Sequence, residues 1–238
     1  MCSSDLEGFI QWVLEDTFPS GRPALDKVGV MFVKDVSPFE LMKIRILNGG
    51  HAAICYPSAL LDIHFVHDAM QHPVIGPFLD KLELEEIVPC VPPVPDTNIQ
   101  DYYKLIVRRF SNPKIADTIP RLAFDGSNRQ PKFILPSALD RLKAGKSVTG
   151  LSLVSALWCH YCAGTSDSGR AIPPNDPIAQ RLKSAAMAAK ADPMAFLAME
   201  DIFGEAGKSP AFRTAFEGWL KALQANGTEA TLKSYLAL

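Results

Sequence analysis

Apolar residues recur at helical spacing through most of this chain, and a strand-like pattern occurs only near its start. Residues 6–15, LEGFIQWVLE, carry apolar positions three and four apart and predict a short helix. Gly21, Arg22 and Pro23 mark a turn. Residues 27–36, KVGVMFVKDV, are rich in β-branched and aromatic residues and bounded by charge, which predicts a strand. Such a strand, without neighbours, would leave an unpaired edge open to self-association. Ser37 and Pro38 then predict a helix start, with Ser37 as N-cap, Pro38 at the first helical position and Glu40 completing a capping box.

Helical patterns follow at 39–55, 58–71, 74–86 and 98–110, broken by the Pro-rich connector IVPCVPPVPDTN. Residues 114–136 alternate between short helix and loop. From Ser137 the pattern is strongly helical, with segments at 137–144, 148–163, 176–191, 193–203, 210–225 and 229–236. Gly145, Gly204 and Gly227 stand at three of their ends, as helix stops. The chain therefore predicts a mainly α, multi-helical domain over 37–238, preceded by a short β-containing segment over 1–36.

The stretch FELMKIRILNGGHAAIC, residues 39–55, is apolar on nearly every side of a helical wheel yet carries Lys43, Asn48 and His51. With Lys43 at zero, Asn48 falls near ~140° and His51 near ~80° at about 100° per residue, so the three share a sector. Arg45 lies outside it, near ~200°. An all-round apolar helix is normally buried, and a buried lysine is shifted toward its neutral form because desolvation disfavours the ammonium. That environment suits a general acid or base. The duller alternative is a lysine that snorkels to the surface beside a hydrogen-bonded core His and Asn. Gly49 and Gly50 weaken a helix by about 1 kcal/mol each relative to Ala, and predict a close approach by another backbone or a ligand.

Composition narrows the class. The chain has 238 residues, a hydrophobic fraction of 47% and a formal net charge of −2, as an ordinary globular protein does. There is no basic excess to attract nucleic acid, no run long enough to span a membrane and no signal-peptide layout at the start. The five cysteines are an odd count without framework spacing, which predicts reduced thiols and a cytoplasmic chain. In the segment DIHFVHD, His64 and His67 lie one helical turn apart, but metal ligands must converge from several elements, so no metal site is expected. Cys159 and Cys162 lie mid-helix without a strand-to-helix turn and read as core.

The order Lys43, Asn48, His51, with Gly49 between, resembles the Lys-x-x-x-x-Asn-x-x-His signature of the polyol-specific long-chain dehydrogenase/reductase family, of mannitol 2-dehydrogenase type. The likeness extends through LMKIRILNGGH, RFSNPKIADTIPRLAFDGSNRQPKFILP and the closing helices. It implies a helical C-terminal domain resembling that of 6-phosphogluconate dehydrogenase, and a metal-independent, NAD- or NADP-dependent oxidation of a polyol to its 2-ketose. In that resemblance Lys43 is the acid/base, Asn48 an oxyanion donor, His51 a substrate-binding group, and Arg121 and Arg129 grip substrate oxygens. The family carries a lysine where Arg129 stands. That departure leaves open a ketouronate substrate, as in fructuronate or tagaturonate reductases, and pairing of either arginine with Asp117 or Asp125 is the structural alternative.

No G-x-G-x-x-G or P-loop occurs in the chain. By the resemblance, the nicotinamide cofactor is bound mainly by a preceding dinucleotide-binding domain, of which residues 1–36 would be the tail. The partners implied are that domain and a small polyol or ketose. A chain without the domain would be inactive alone, or a non-catalytic helical domain retaining the motif by descent.

Overall fold

The computed structural model describes residues 11–238. Two short strands, β1 (Val13–Glu15) and β2 (Met31–Val33), pair in parallel, with Leu14 opposite Phe32. The helix expected at 6–15 falls partly outside the described residues, and over Val13–Glu15 it is replaced by β1. A single helical turn is marginal without a face to bury, whereas VLE gains ladder bonds, including Met31 N–H to Trp12 O at 2.9 Å and Asp16 N–H to Val33 O at 2.8 Å. The strand expected over 27–36 shrinks to β2. Leu25–Val28 form a 3₁₀ turn instead, closed by Gly29 at φ 91°.

Thirteen α-helices follow among the described residues. They are α1 (Ser37–Met42), α2 (Gly49–Leu60), α3 (Val66–Gln71), α4 (Ile75–Leu82), α5 (Ile99–Phe110), α6 (Ile119–Ala123) and α7 (Gly126–Arg129). Then come α8 (Leu135–Lys143), α9 (Thr149–Cys162), α10 (Ala179–Ala188), α11 (Met194–Leu197), α12 (Glu200–Lys208) and α13 (Pro210–Leu236). Three π-helical segments interrupt the series: Lys43–Asn48, Glu83–Ile87 and Gln130–Ile134.

Local chemistry explains where the helices differ from expectation. Ser37 is the first helical residue rather than the cap. Its N–H donates to the Asp35 carboxylate at 2.9 Å, so Asp35 takes the capping role and no box with Glu40 forms. The helix expected over 58–71 breaks after Leu60, where Asp62 turns left-handed at φ 61°. Phe65 then bridges Thr118, with Val66 N–H on Asp117 O and Ile119 N–H on His64 O. That bridge ties α3 to the start of α6. Gly204 and Gly227 kink rather than end their helices, at φ 46° and 76°.

The core lies around α9, which is buried along nearly its whole length and packs on α13 and α2. Trp158 sits against Phe196 and Phe203, and Tyr56 of α2 packs on Trp158 and Tyr161. α2 is itself buried on almost every side. The fold therefore anchors the Lys43–His51 stretch to the buried centre of the molecule.

Candidate active site

Lys43 to Asn48 do not form an α-helix. The N–H of Gly49 reaches back to the carbonyl of Ile44, five residues away, which widens the turn to π geometry. In an α-helix Lys43 and Asn48 would stand ~140° apart. A π turn brings residues five apart toward the same side, so it draws the two together more closely than the sequence wheel implies. Gly49 and Gly50 then enter α2 between two other π segments. A Cβ on Gly49 would lie 3.3 Å from the backbone carbonyl of Phe133, and one on Gly50 would lie 3.1 Å from Glu83 Oε1 and 3.3 Å from Phe110 Cε2. The close approach expected at this pair of glycines is real: backbone at one, side chains at the other.

The buried cation of the stretch is not the one expected. Lys43 is exposed, with Glu40 and Leu41 exposed beside it. Arg45 is the buried charge, 8% exposed, and its guanidinium donates to Asp140 Oδ2 and to the Cys90 carbonyl, each at 2.5 Å. Arg45 thus ties the first π segment to α8 and to the Pro-rich connector. Asn48 is half-buried, and neither Lys43 nor Asn48 makes a side-chain hydrogen bond or ion pair among the described residues.

His51 packs inward. Its imidazole stacks on Phe110 with centroids 4.1 Å apart and planes 14° apart. Burial pushes its pKa down to about 3; the Asp117 carboxylate opposes this, while Arg121, Arg129 and Arg109 add to it. A neutral imidazole offers one N–H donor and one acceptor, which suits a hydroxyl. His51 lines a cavity of about 150 Å³ together with Leu47, His67, Arg109, Asp117 and Arg121.

Arg121 forks onto Asp117, through Nε on Oδ1 at 2.5 Å and Nη2 on Oδ2. The pairing weighed as the alternative is therefore present, at Arg121 rather than Arg129. Burial pushes the Asp117 carboxyl up, but the Arg121 bonds and charge hold it below the usual carboxylate range. The guanidinium remains more than half exposed at the cavity mouth, with donors to spare. Arg129, at the end of α7, donates to the Leu122 carbonyl at 2.8 Å. The structure brings His51 and Arg121 to one cavity; Lys43, Asn48 and Arg129 do not line it.

Sequence reasoning missed Glu83 and Phe110, and considered His67 only as a metal ligand. Glu83 is fully buried. Its signal was present, since it falls four residues after Leu79, on the apolar face of its own helix. His67 lines the His51 cavity, whereas His64 is exposed on another face. No group of three His, Cys, Asp or Glu among the described residues is placed to hold a metal ion. Cys159 and Cys162 are free thiols pushed up by burial in α9.

The mannitol dehydrogenase C-terminal domain model matches residues 35–224. The chain belongs to the mannitol dehydrogenase family. It is 57% identical over 231 residues to a mannitol 2-dehydrogenase of Cereibacter sphaeroides, covering 97% of this chain and 48% of that protein. The mannitol 2-dehydrogenase of Aspergillus clavatus is 36% identical over 97% of this chain and 47% of its own length. Among solved structures, a Pseudomonas fluorescens mannitol 2-dehydrogenase in ternary complex with NAD and D-mannitol superposes with a TM-score of 0.91 at 38% identity. That match covers 96% of this chain and 47% of the other. A substrate-free D-sorbitol dehydrogenase gives 0.85 at 26% identity, over 94% of this chain and 46% of the other. The mainly α architecture is that of this C-terminal domain. The chain spans about half the length of the curated relatives it matches.

Proposed function

We propose that this chain is the substrate-binding and proton-transfer half of a metal-independent, NAD(P)-dependent polyol 2-dehydrogenase that interconverts D-mannitol and its 2-ketose. The observation that supports this reading is the π turn, which draws Lys43 and Asn48 toward one side with neither side chain engaged and leads directly into α2 and His51. The mannitol 2-dehydrogenases named above and the ternary complex with NAD and D-mannitol support it.

The described residues supply no glycine-rich phosphate cradle, so they do not by themselves fit a dinucleotide. Cofactor binding belongs in this reading to a domain outside 37–238, with residues 1–36 as its tail. The parallel β1–β2 pair supports that division, because parallel strands belong to sheets covered on both faces. When bound there, the nicotinamide supplies the hydride chemistry. The exposed side of the helix at Lys43 is where that domain would close in this reading.

The proton steps then fall to this chain. Lys43 takes the proton from the C2 hydroxyl during oxidation and returns it during reduction. Asn48 donates its amide N–H to the oxygen as negative charge develops, a contact commonly worth about 3–4 kcal/mol. His51, neutral, exchanges a hydrogen bond with a neighbouring hydroxyl, and Arg121, steadied by Asp117, grips oxygens further along the chain. Arg129 completes the grip or, for a ketouronate substrate, meets the carboxylate. No helix among the described residues is long and apolar enough to cross a membrane.

The test is steady-state turnover by the enzyme carrying this chain joined to its dinucleotide-binding domain. Oxidation of D-mannitol with NAD or NADP, undiminished by EDTA, is the expected result. Preference for a ketouronate, or loss of rate to the chelator, would contradict it.

A further inference from the structure

Glu83 opens the second π segment with no solvent exposure, and neither of its carboxyl oxygens finds a hydrogen-bond partner among the described residues. A buried polar group left unmatched is costly and calls for a reason. Its surroundings supply one. Oε1 faces the Cα of Gly50, in the notch where a side chain would otherwise stand. The edge of Phe110 closes the other side of that notch, and the Phe110 ring is the platform on which His51 stacks. Glu83, Gly50, Phe110 and His51 form one continuous packed row.

We propose that Glu83 is a positioning residue for the Asn48–His51 turn, its planar carboxyl filling the notch at Gly50 and fixing the backbone from which Asn48 and His51 project. The inference rests on the function proposed above and adds a member to the same site.

The glycine explains how the acid fits there. A Cβ on residue 50 would stand 3.1 Å from Oε1, closer than the about 3.5–4.0 Å at which carbons pack, so the planar carboxyl occupies the notch because residue 50 has no side chain. Burial holds the carboxyl protonated. The titratable groups nearest it are the phenols of Tyr102 and Tyr103 on α5, both raised mainly by burial, with Asp80 accepting from Tyr103 at 2.5 Å. Arg109 acts on Tyr102 from the same helix. Glu86, one turn on, points to α9 instead and accepts the N–H groups of Gly150 and Leu151 at 2.7 and 3.0 Å.

Two variants in the enzyme carrying this chain separate positioning from bulk packing. Glu83→Gln keeps the planar shape, and Glu83→Met keeps the volume without it. The expected result for Glu83→Met is a fall in kcat of tenfold or more, an unchanged KM for the cofactor, a circular dichroism spectrum like wild type, and displaced His51 imidazole resonances. Glu83→Gln should recover at least a third of the wild-type kcat and leave those resonances in place. Wild-type kcat in Glu83→Met, or equal loss in both variants, would overturn the proposal. Should the unmutated enzyme oxidise no polyol, the functional reading fails on that control, while the His51 resonances still decide the positioning role.

Discussion

Glu83 Oε1 lies 3.1 Å from where a Cβ on Gly50 would sit, so these two residues share a space that admits only one side chain. The contact joins two π segments, and it lies one residue from His51 and two from Asn48. Adding a methyl here must move something. Gly50→Ala gains about 1 kcal/mol in helix propensity but overpacks a filled site, at about 1–3 kcal/mol. A net loss of roughly 1 kcal/mol in urea unfolding is expected from that balance, with polyol turnover reduced alongside. Gly49→Ala should behave similarly, because its neighbour is the Phe133 carbonyl of the backbone rather than a flexible side chain.

The protonated state of Glu83 makes stability depend on pH. Its folded value is raised above the ordinary 4.5 by burial. Folding therefore retains a proton that the unfolded chain releases, and the contribution of this group is full below 4.5 and is lost as pH rises toward the folded value. Within that window the loss is about 1.4 kcal/mol per pH unit. Glu83→Gln removes it, so the variant should gain on wild type as pH rises from 5 to 7. Urea midpoints at the two pH values check this; a gap that does not change with pH would count against a buried carboxyl.

His51 gives the opposite slope. Its folded pKa, about 3, lies below the ordinary 6.5, so its contribution is present above 6.5 and is lost as pH falls toward 3. NMR of the His51 ring protons should show no titration between pH 5 and 8. A midpoint near 6.5 would mean that the ring is hydrated rather than stacked on Phe110.

Arg45 and Lys43 are two residues apart and should fail in different ways. Arg45→Ala leaves Asp140 and the Cys90 carbonyl without their partner. Breaking a buried pair costs about 3–5 kcal/mol, and since the Asp140 side chain is 44% exposed the expected loss is nearer about 2. Lys43→Ala, on an exposed side chain, should change stability by less than about 0.5 kcal/mol. Thermal unfolding of the two variants side by side measures the contrast.

Much of this arrangement was legible in the residues themselves. The helical spacing from Ser137 onward, the helix over 98–110 and the demand for room at Gly49 and Gly50 all follow from local rules. Hidden were features set by distant partners. VLE is a strand because residues 31–33 lie beside it, and Lys43 and Arg45 exchange expected burial because Asp140, 95 residues away, captures the arginine. The π turn was also invisible: a wheel drawn at a fixed angle presumes the α-helix it is meant to test. Of the site, the signature named Lys43, Asn48 and His51, but only packing shows that His51 meets Arg121 in one cavity and that Glu83 stands behind Gly50.

The role of Lys43 as the proton carrier is tested most directly by Lys43→Ala in the enzyme joined to its dinucleotide-binding domain, with turnover read in both directions. The account predicts that oxidation and reduction both fall far below a tenth of wild type, cofactor affinity and melting temperature stay put, and added small primary amines restore part of the rate. A variant that keeps more than a tenth of the wild-type rate, a loss under about 1.4 kcal/mol, would contradict it.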